Sequence, residues 1–253
     1  MASLHKKWLF LWLMAISTLS PAAAELKIGV ADADAPPIAV LSDNGNSLQG
    51  GLARELGELL AAELDLAPNF VLLARKRVEM SVENGRVDLI CNANPGWFSN
   101  ASRLQWSHEI YPQVEKALSL AGRPPIRELA ELSSLRISVI RGYSYPSLEY
   151  LWNNNRSERV EEAHFELQLK SLQKRLSDVA IVSELSFAWW ARQRPREAAA
   201  FRLHPLIVTS LPTMCALSPR SAVKLDAVNR AIDRLQKNGK FKALLARYQW
   251  QPD

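Results

Sequence analysis

The chain has 253 residues, 48% of them apolar and 23% charged, with ten Gly and fourteen Pro, a composition that excludes collagen, a coiled coil and a disordered tail. At about 150 residues per domain, this length holds one large domain or two modest lobes, either able to bury a sizeable core. The formal net charge of +5 is dispersed, and its densest basic run, Arg75-Lys76-Arg77, is no longer than a solvated helix start, so the basic stripe of a nucleic-acid-binding protein is missing.

Residues 1–24 carry the most specific local signal. His5, Lys6 and Lys7 precede an apolar run from Trp8 to Leu19, which leads to Pro21-Ala22-Ala23-Ala24. This pattern reads as a cleavable signal peptide with the cut before Glu25. The apolar run is well short of the roughly 20 residues that a bilayer-crossing helix needs. Without Lys6 and Lys7 the mature charge falls to +3. A soluble mature protein outside the cytoplasm is expected, in the periplasm of a bacterium with two membranes. Cys91 and Cys215 survive into that chain, and an oxidising compartment permits one bridge between them. Their spacing is not that of a zinc site, and only three His remain after cleavage, so neither a metal nor a cofactor is expected.

From the mature start, Leu26–Ala31 is a β-prone run that acids and prolines end at Asp32–Pro37. Leu52, Leu56, Leu59, Leu60 and Leu64 then recur at helical spacing with Arg54, Glu55, Glu58 and Glu63 between them, which predicts an amphipathic helix. Phe70–Leu73 reads as a strand, Arg77–Asn84 as a short helix ended by Gly85, and Val87–Cys91 as a strand buried on both faces. The order β-α-β-α-β argues for a parallel α/β sheet. After the loop Asn92–Gln105 a second alternation begins. It comprises an extended run Val114–Leu120, a short helix Ile126–Leu132, and a strand Arg136–Ile140 that delivers Arg141-Gly142-Tyr143-Ser144 to a helix start. Next come a helix Phe165–Leu176, a strand Asp178–Val182 and a helix Ser183–Arg194. Leu203–Val208 and Thr213–Leu217 are two further extended runs, and the helices Ala222–Lys237 and Lys240–Tyr248 close the chain.

Five stretches resemble the extracytoplasmic solute-binding proteins of family 3, the amino-acid-binding receptors that feed ABC importers. They are Ile28–Pro37, Leu48–Leu56, Glu83–Ile90, the crossing segment Trp106-Ser-His-Glu-Ile-Tyr111, and the closing pattern from Ala231 to Phe241 that runs on to Tyr248. The resemblance implies an α/β, two-lobe periplasmic-binding-protein type II fold with two hinge crossings. Lobe 1 would hold residues 25–113 and 214–253, and lobe 2 residues 114–213, with a small solute closing the cleft between them. It also implies that the strands of Cys91 and Cys215 lie side by side, where a disulfide would form if the geometry allows.

Three recognition positions depart from the family pattern. The carboxylate-clamping Arg falls on Asn100, with Arg103 three residues later; the lobe 2 Asp that takes a ligand ammonium falls on Ser183, with Glu184 beside it; and the stacking aromatic falls on Ala35. The remaining candidates for a rebuilt site are Asp34, Arg77, Asn92, Asn94, Trp97, Arg103, Tyr143, Ser144 and Glu184. Gly142-Tyr143-Ser144 at a helix start offers free amides for an anionic group, or else a plain N-cap at Ser144. Asn92 and Asn94 lie where ligands of open α/β sheets bind, or else cap a buried loop. Trp97 can stack on a solute; Trp106 fits core packing at the hinge better, and Trp189 and Trp190 fit core and lobe surface.

The expected protein is a monomeric, non-enzymatic receptor for a small polar solute, amino-acid-like or anionic, that presents its closed form to an inner-membrane ABC permease. A ligand-binding sensor without transport is the alternative. Two enzyme readings carry less. Gly142–Pro146 matches only part of a nucleophile elbow, and a cyclohexadienyl-dehydratase-like activity would need Glu184 as general acid.

Overall fold

The computed structural model describes residues 24–32 and 34–250. The signal peptide expected at residues 1–24 lies outside the described residues apart from Ala24. Strand β1 (Glu25–Ala31) leads through the Pro-Pro loop and a small hairpin, β2 (Val40–Leu41) and β3 (Leu48–Gly50), into helix α1 (Leu52–Glu63). Leu52, Leu56, Leu60 and Ala61 form the buried stripe of α1, as their spacing dictates. Gly51 admits the turn into this helix because its φ is 99° and a Cβ there would fall 2.7 Å from the Ile38 carbonyl oxygen. The amides of Leu52 and Ala53 donate to the carbonyls of Pro37 and Ile38, so the Pro-Pro loop itself caps α1.

Strand β4 (Ala67–Leu73), a single 3-10 turn at Arg75–Arg77, helix α2 (Val78–Glu83) and strand β5 (Leu89–Ala93) follow. Strand β1 runs parallel to both β4 and β5, with Ile28 in register with Phe70 and Leu89. A short β6 (Gln105–Trp106) and a long β7 (Tyr111–Leu120) carry the chain away from this sheet. The second half holds β8 (Arg136–Ile140), α3 (Glu149–Asn153), β9 (Glu158–Glu162), α4 (Phe165–Gln173), β10 (Val179–Ser183), α5 (Glu184–Gln193) and α6 (Pro195–Ala198). Strand β11 (Phe201–Leu217) returns to the first half, where α7 (Leu225–Lys237) and α8 (Lys240–Ala246) end the fold.

The strand order is β4-β1-β5-β11-β7-β10-β8-β9, with β6 alongside β11. Strand β11 joins the halves. Residues from Phe201 to Thr213 pair antiparallel with β7, and Met214 to Leu217 pair with β5. At the crossing Pro112 and Pro212 lie directly opposite one another. Neither has an N–H to give, so the ladder is thinnest where the chain passes between the halves. Both faces of each half-sheet are covered. Leu26, Ile28 and Leu89 pack on α1, α7 and α8, while Val82, Val87 and Ile90 form the core beneath α2. Ile137, Val139, Ile181 and the wholly buried Tyr145 fill one face of the second half, and Leu118, Leu172, Val182 and Phe187 fill the other.

Cys91 of β5 and Cys215 of β11 form a disulfide within the first half, at the point where the β11 register shifts between Met214 and Ala216. One further segment ties the halves together away from the crossing strands. The C-terminal residues lie along α5: Trp189 stacks on Tyr248 with ring centroids 6.4 Å apart, Trp250 packs on Phe187 at 5.1 Å, and the Arg192 guanidinium donates to the carbonyls of Arg247 and Gln249. Trp189 is thus a packing residue between the halves, and Trp190 is buried beside Phe187 and Phe201.

Several elements differ from the sequence reading. The extended runs Leu203–Val208 and Thr213–Leu217 are one continuous strand, which Pro205 and Pro212 do not end because pairing with β7 spans them. Ile126–Leu132 forms only a 3-10 turn at Leu129–Leu132. Strand β9, whose sequence Glu-Arg-Val-Glu-Glu lacks apolar alternation, sits at the sheet edge, where it needs only one pairing partner.

Candidate functional site

The carboxyl ends of the parallel strands converge on the crossing. Ala93, at the end of β5, pairs with Met214, and Ser183, at the end of β10, pairs with Glu115; both pairs lie within a few residues of Pro112 and Pro212. The loops after β1, β4 and β5 therefore form one wall of a cleft, and those after β8 and β10 form the other. Open α/β sheets bind ligands at such carboxyl edges.

Hydroxyl and amide side chains stitch the crossing. The Ser107 hydroxyl accepts from the Cys215 amide at 2.8 Å, and the Thr213 hydroxyl donates to the Tyr111 carbonyl at 2.6 Å. The buried Tyr111 hydroxyl donates to Asn92 Oδ1 at 2.7 Å. Asn92 itself takes a left-handed φ of 55°, which asparagine tolerates better than most residues. Asn94 Nδ2 donates to the Pro212 carbonyl at 2.8 Å while its Oδ1 accepts from the Gly96 amide at 2.8 Å. Both ends of the Asn94 side chain are engaged in structure, which answers the open question for that residue in favour of loop capping.

On the first wall, the Asp34 carboxyl is pushed up by burial and by the nearby Asp32 charge, against the pull of Arg75. Burial and the Asp34 charge together hold the Tyr111 phenol protonated. Arg77 is exposed in the 3-10 turn at the end of β4, and its side chain has no protein partner among the described residues. Trp97, 40% exposed, ends the next 3-10 turn, Pro95–Trp97. Arg103 pairs with Glu83 at 3.8 Å, at the far end of α2. The loop is fixed there by Glu79, whose carboxylate accepts from the amides of Ser99 and Asn100 at 3.2 and 2.5 Å. Trp106 packs edge-on against Phe98 and donates to the Ala101 carbonyl at 2.9 Å, as core rather than as a stacking platform.

On the second wall, one expectation is corrected. Gly142-Tyr143-Ser144 does not open a helix. The Tyr143 amide donates to the Ile140 carbonyl across a turn in which Gly142 has a φ of 80°. Helix α3 starts only at Glu149, after an N-cap at Leu148 that makes no side-chain bond. Ser144 is exposed in the turn and is neither an N-cap nor next to free helix amides. The fully buried Tyr145 one position later decides this, because anchoring it to the core forces the chain inward before a helix can begin. Tyr143 is 58% exposed, and its carbonyl accepts from Arg159 at 3.0 Å.

Glu184 opens α5 and its carboxylate meets the Lys116 ammonium at 2.7 Å, with both side chains mostly buried. The Ser183 hydroxyl caps the same helix by accepting from the Ser186 amide at 3.4 Å. Sequence reasoning missed Glu115. It lies in register between Ser183 on β10 and Thr209 on β11, and burial pushes its carboxyl up to about 6 against a hydrogen bond from Thr209. The available signal was a glutamate near the start of an extended run, Val-Glu-Lys-Ala-Leu-Ser-Leu, that turns apolar after Lys116. Among the described residues, no group of three or more His, Cys, Asp or Glu is placed to hold a metal ion, and no helix is long and apolar enough to cross a membrane.

The family model for bacterial extracellular solute-binding proteins, family 3, matches residues 26–251. Substrate binding domain 2 of GlnP from Lactococcus lactis, in its open conformation, superposes with a TM-score of 0.70 at 13% identity, covering 92% of this chain and 99% of that one. A histidine kinase sensor domain with similarity to periplasmic binding proteins gives 0.63 at 19% identity, covering 90% and 98%. An ancestral amino-acid-binding protein described as a precursor of cyclohexadienyl dehydratase gives 0.62 at 17% identity, covering 90% and 96%. At these identities the likeness establishes the fold, which is the two-lobe type II periplasmic-binding architecture. No curated protein matches the sequence significantly.

Proposed function

The chain belongs to family 3 of the bacterial extracellular solute-binding proteins, and on that premise we propose that it captures a small amino-acid-like solute in the cleft between its lobes. The observation that supports this reading is the convergence of both sets of carboxyl-end loops on the crossing: Asp34, Arg77, Trp97 and Tyr143 follow β1, β4, β5 and β8, and Glu115 lies opposite Ser183 at the end of β10. Residues 25–113 and 214–253 act as one body and residues 114–213 as the other. Rotation about the paired Pro112 and Pro212 brings them together on the solute, and the solute leaves chemically unchanged. A signal peptide at residues 1–24 would export the chain to the periplasm, where its closed form meets a membrane permease as a monomer.

A thermal-shift screen of residues 25–253 against amino acids, diamines, small dicarboxylates and prephenate-like acids tests the reading. A ligand at about 100 times its Kd adds roughly 2.7 kcal/mol to native stability. A melting temperature raised by one class, with the ligand recovered unchanged, supports it. A flat response across the panel, or conversion of the ligand, overturns it. Sensing is the second reading, supported by the likeness to the histidine kinase sensor domain. A kinase or cyclase gene beside this one would favour it, and permease and ATPase genes would favour uptake.

A further inference from the structure

The end of β10 and the part of β7 opposite it carry three acid or hydroxyl groups, Ser183, Glu184 and Glu115, and two of them are already engaged. Ser183 spends its hydroxyl on capping α5. Glu184 is neutralised by Lys116, which alternates to the opposite face of β7 from Glu115. Glu115 remains. It is directly opposite Ser183 across the antiparallel pair and therefore shares its face of the sheet, at the edge where the lobe meets the cleft.

Every element packed around Glu115 supplies neutral groups to it. Strand β11 brings the Thr209 hydroxyl, β10 brings Ser183, and the turn after β8 brings the Tyr145 phenol, which burial above all, and then the Glu115 charge, push up. The basic residues of the β8 turn and of β9, Arg141 and Arg159, are directed to acids of β9 and α3: Arg141 to Glu161 at 4.0 Å, and Arg159 to Glu161 at 3.1 Å and to Glu149 at 3.9 Å. No ion pair among the described residues includes Glu115. A mostly buried carboxylate without a cation is costly unless it is protonated or meets a cation from outside.

We propose that Glu115 is the specificity-determining acceptor for a positively charged nitrogen of the solute, an ammonium or guanidinium, in place of the serine at position 183. This rests on the solute-receptor reading and narrows it, since a dicarboxylate without an amine would be repelled. Asp34 supplies a second carboxyl from the facing lobe beside Tyr111, and Arg77 supplies a cation there, so the cleft suits a cationic or zwitterionic solute better than a dicarboxylate without an amine.

Calorimetric titration of residues 25–253 with L-arginine, L-glutamine, putrescine and succinate, for the native chain and for Glu115→Gln, tests the proposal. At least one amine is expected to bind and succinate is not. Glu115→Gln should weaken amine binding at pH 7.5 by tenfold or more. With a carboxyl that titrates near 6, native affinity should fall about tenfold from pH 7.5 to pH 5, and Glu115→Gln should lack this dependence. Unchanged affinity in the variant, or succinate binding in preference to amines, overturns the role of Glu115 and leaves the receptor reading standing. Failure of every compound to bind the native chain overturns both. Glu115→Asp, which keeps the charge on a shorter arm, should recover part of the amine affinity; recovery by Gln and not by Asp would also refute the proposal.

Discussion

Removing the Cys91–Cys215 bridge should cost more stability than any single contact in the molecule. The two residues are 124 apart in sequence, and the loop between them contains the whole of β7 through β10 and most of β11. In the unfolded chain the bridge forbids every conformation in which those ends separate. The chain-entropy relation gives about 16 cal/mol/K for a loop of that length, or about 5 kcal/mol at 25 °C. A domain of this kind is stable by about 5–15 kcal/mol in total, so the bridge supplies a third or more of it. Urea unfolding of residues 25–253, followed by tryptophan fluorescence, for the oxidised chain and for Cys91→Ala/Cys215→Ala measures the difference. The midpoint should drop sharply, and the m-value should rise, because an uncrosslinked unfolded chain exposes more surface. The double variant should still refold, since each half keeps its own cores. A loss below about 1.5 kcal/mol with an unchanged m-value would mean that the unfolded chain is not constrained by the bridge, and the entropic reasoning would fail.

Glu115→Gln should stabilise the ligand-free protein while it impairs binding. The folded carboxyl titrates near 6, above its unfolded value, so its contribution is full at low pH and is lost as pH rises from about 4.5 to 6; the variant should gain up to about 2 kcal/mol at pH 7.5, seen as a higher melting temperature. His204 acts in the opposite sense. It is buried with Nδ1 accepting from the Ile126 amide at 3.0 Å and its other nitrogen on Ser119 at 2.9 Å, and burial holds it down to about 4. Its contribution is full above about 6.5 and is lost as pH falls toward 4, by at most about 3 kcal/mol, so Glu115→Gln should show a steeper acid loss of melting temperature than the native chain. Asn94→Ala removes the bond to the Pro212 carbonyl and the cap on Gly96, and should cost about 1–2 kcal/mol in urea unfolding. Arg103→Ala should leave solute affinity within twofold by calorimetry, because Arg103 is 69% exposed and paired with Glu83; a larger loss would show that the loop carries it into the cleft.

The fold was legible because it rests on backbone periodicity. Leu52, Leu56 and Leu60 announce α1, Ile137 and Val139 announce β8, and the alternation of such elements leaves few topologies. Strand β9 was illegible because an edge strand with charged side chains has no apolar pattern to show, and β11 looked broken because its prolines fall where pairing with β7 continues around them. The wall of the cleft was harder to read for a different reason. A sequence states that a polar residue is present but not whether its bonding capacity is already taken. Asn94, Glu184 and Arg103 are candidates by residue type, yet each is committed to a cap, an ammonium or a neighbouring acid, while Glu115, which no motif marks, is not.

That distinction also shows why recognition in this chain can move without changing the fold. In an antiparallel pair, a residue directly opposite another shares its face, with Cβ atoms about 5 Å apart. An acid lost at the end of β10 can therefore be replaced by one on β7 at a displacement smaller than a glutamate side chain, with no change in strand order, helix packing or crossing geometry. The replacement does change the energetics. A carboxylate at a strand end beside a helix cap is partly stabilised by amides, whereas Glu115 sits among hydroxyls and a buried phenol and is left with most of its desolvation cost until a cation arrives. Such a site discriminates more sharply between a positively charged solute and a neutral isostere, and it holds the unliganded protein below the stability its core would otherwise allow. Opposite signs for binding and stability in Glu115→Gln are the mark of that arrangement; a variant that lost both together would place Glu115 among the structural residues instead.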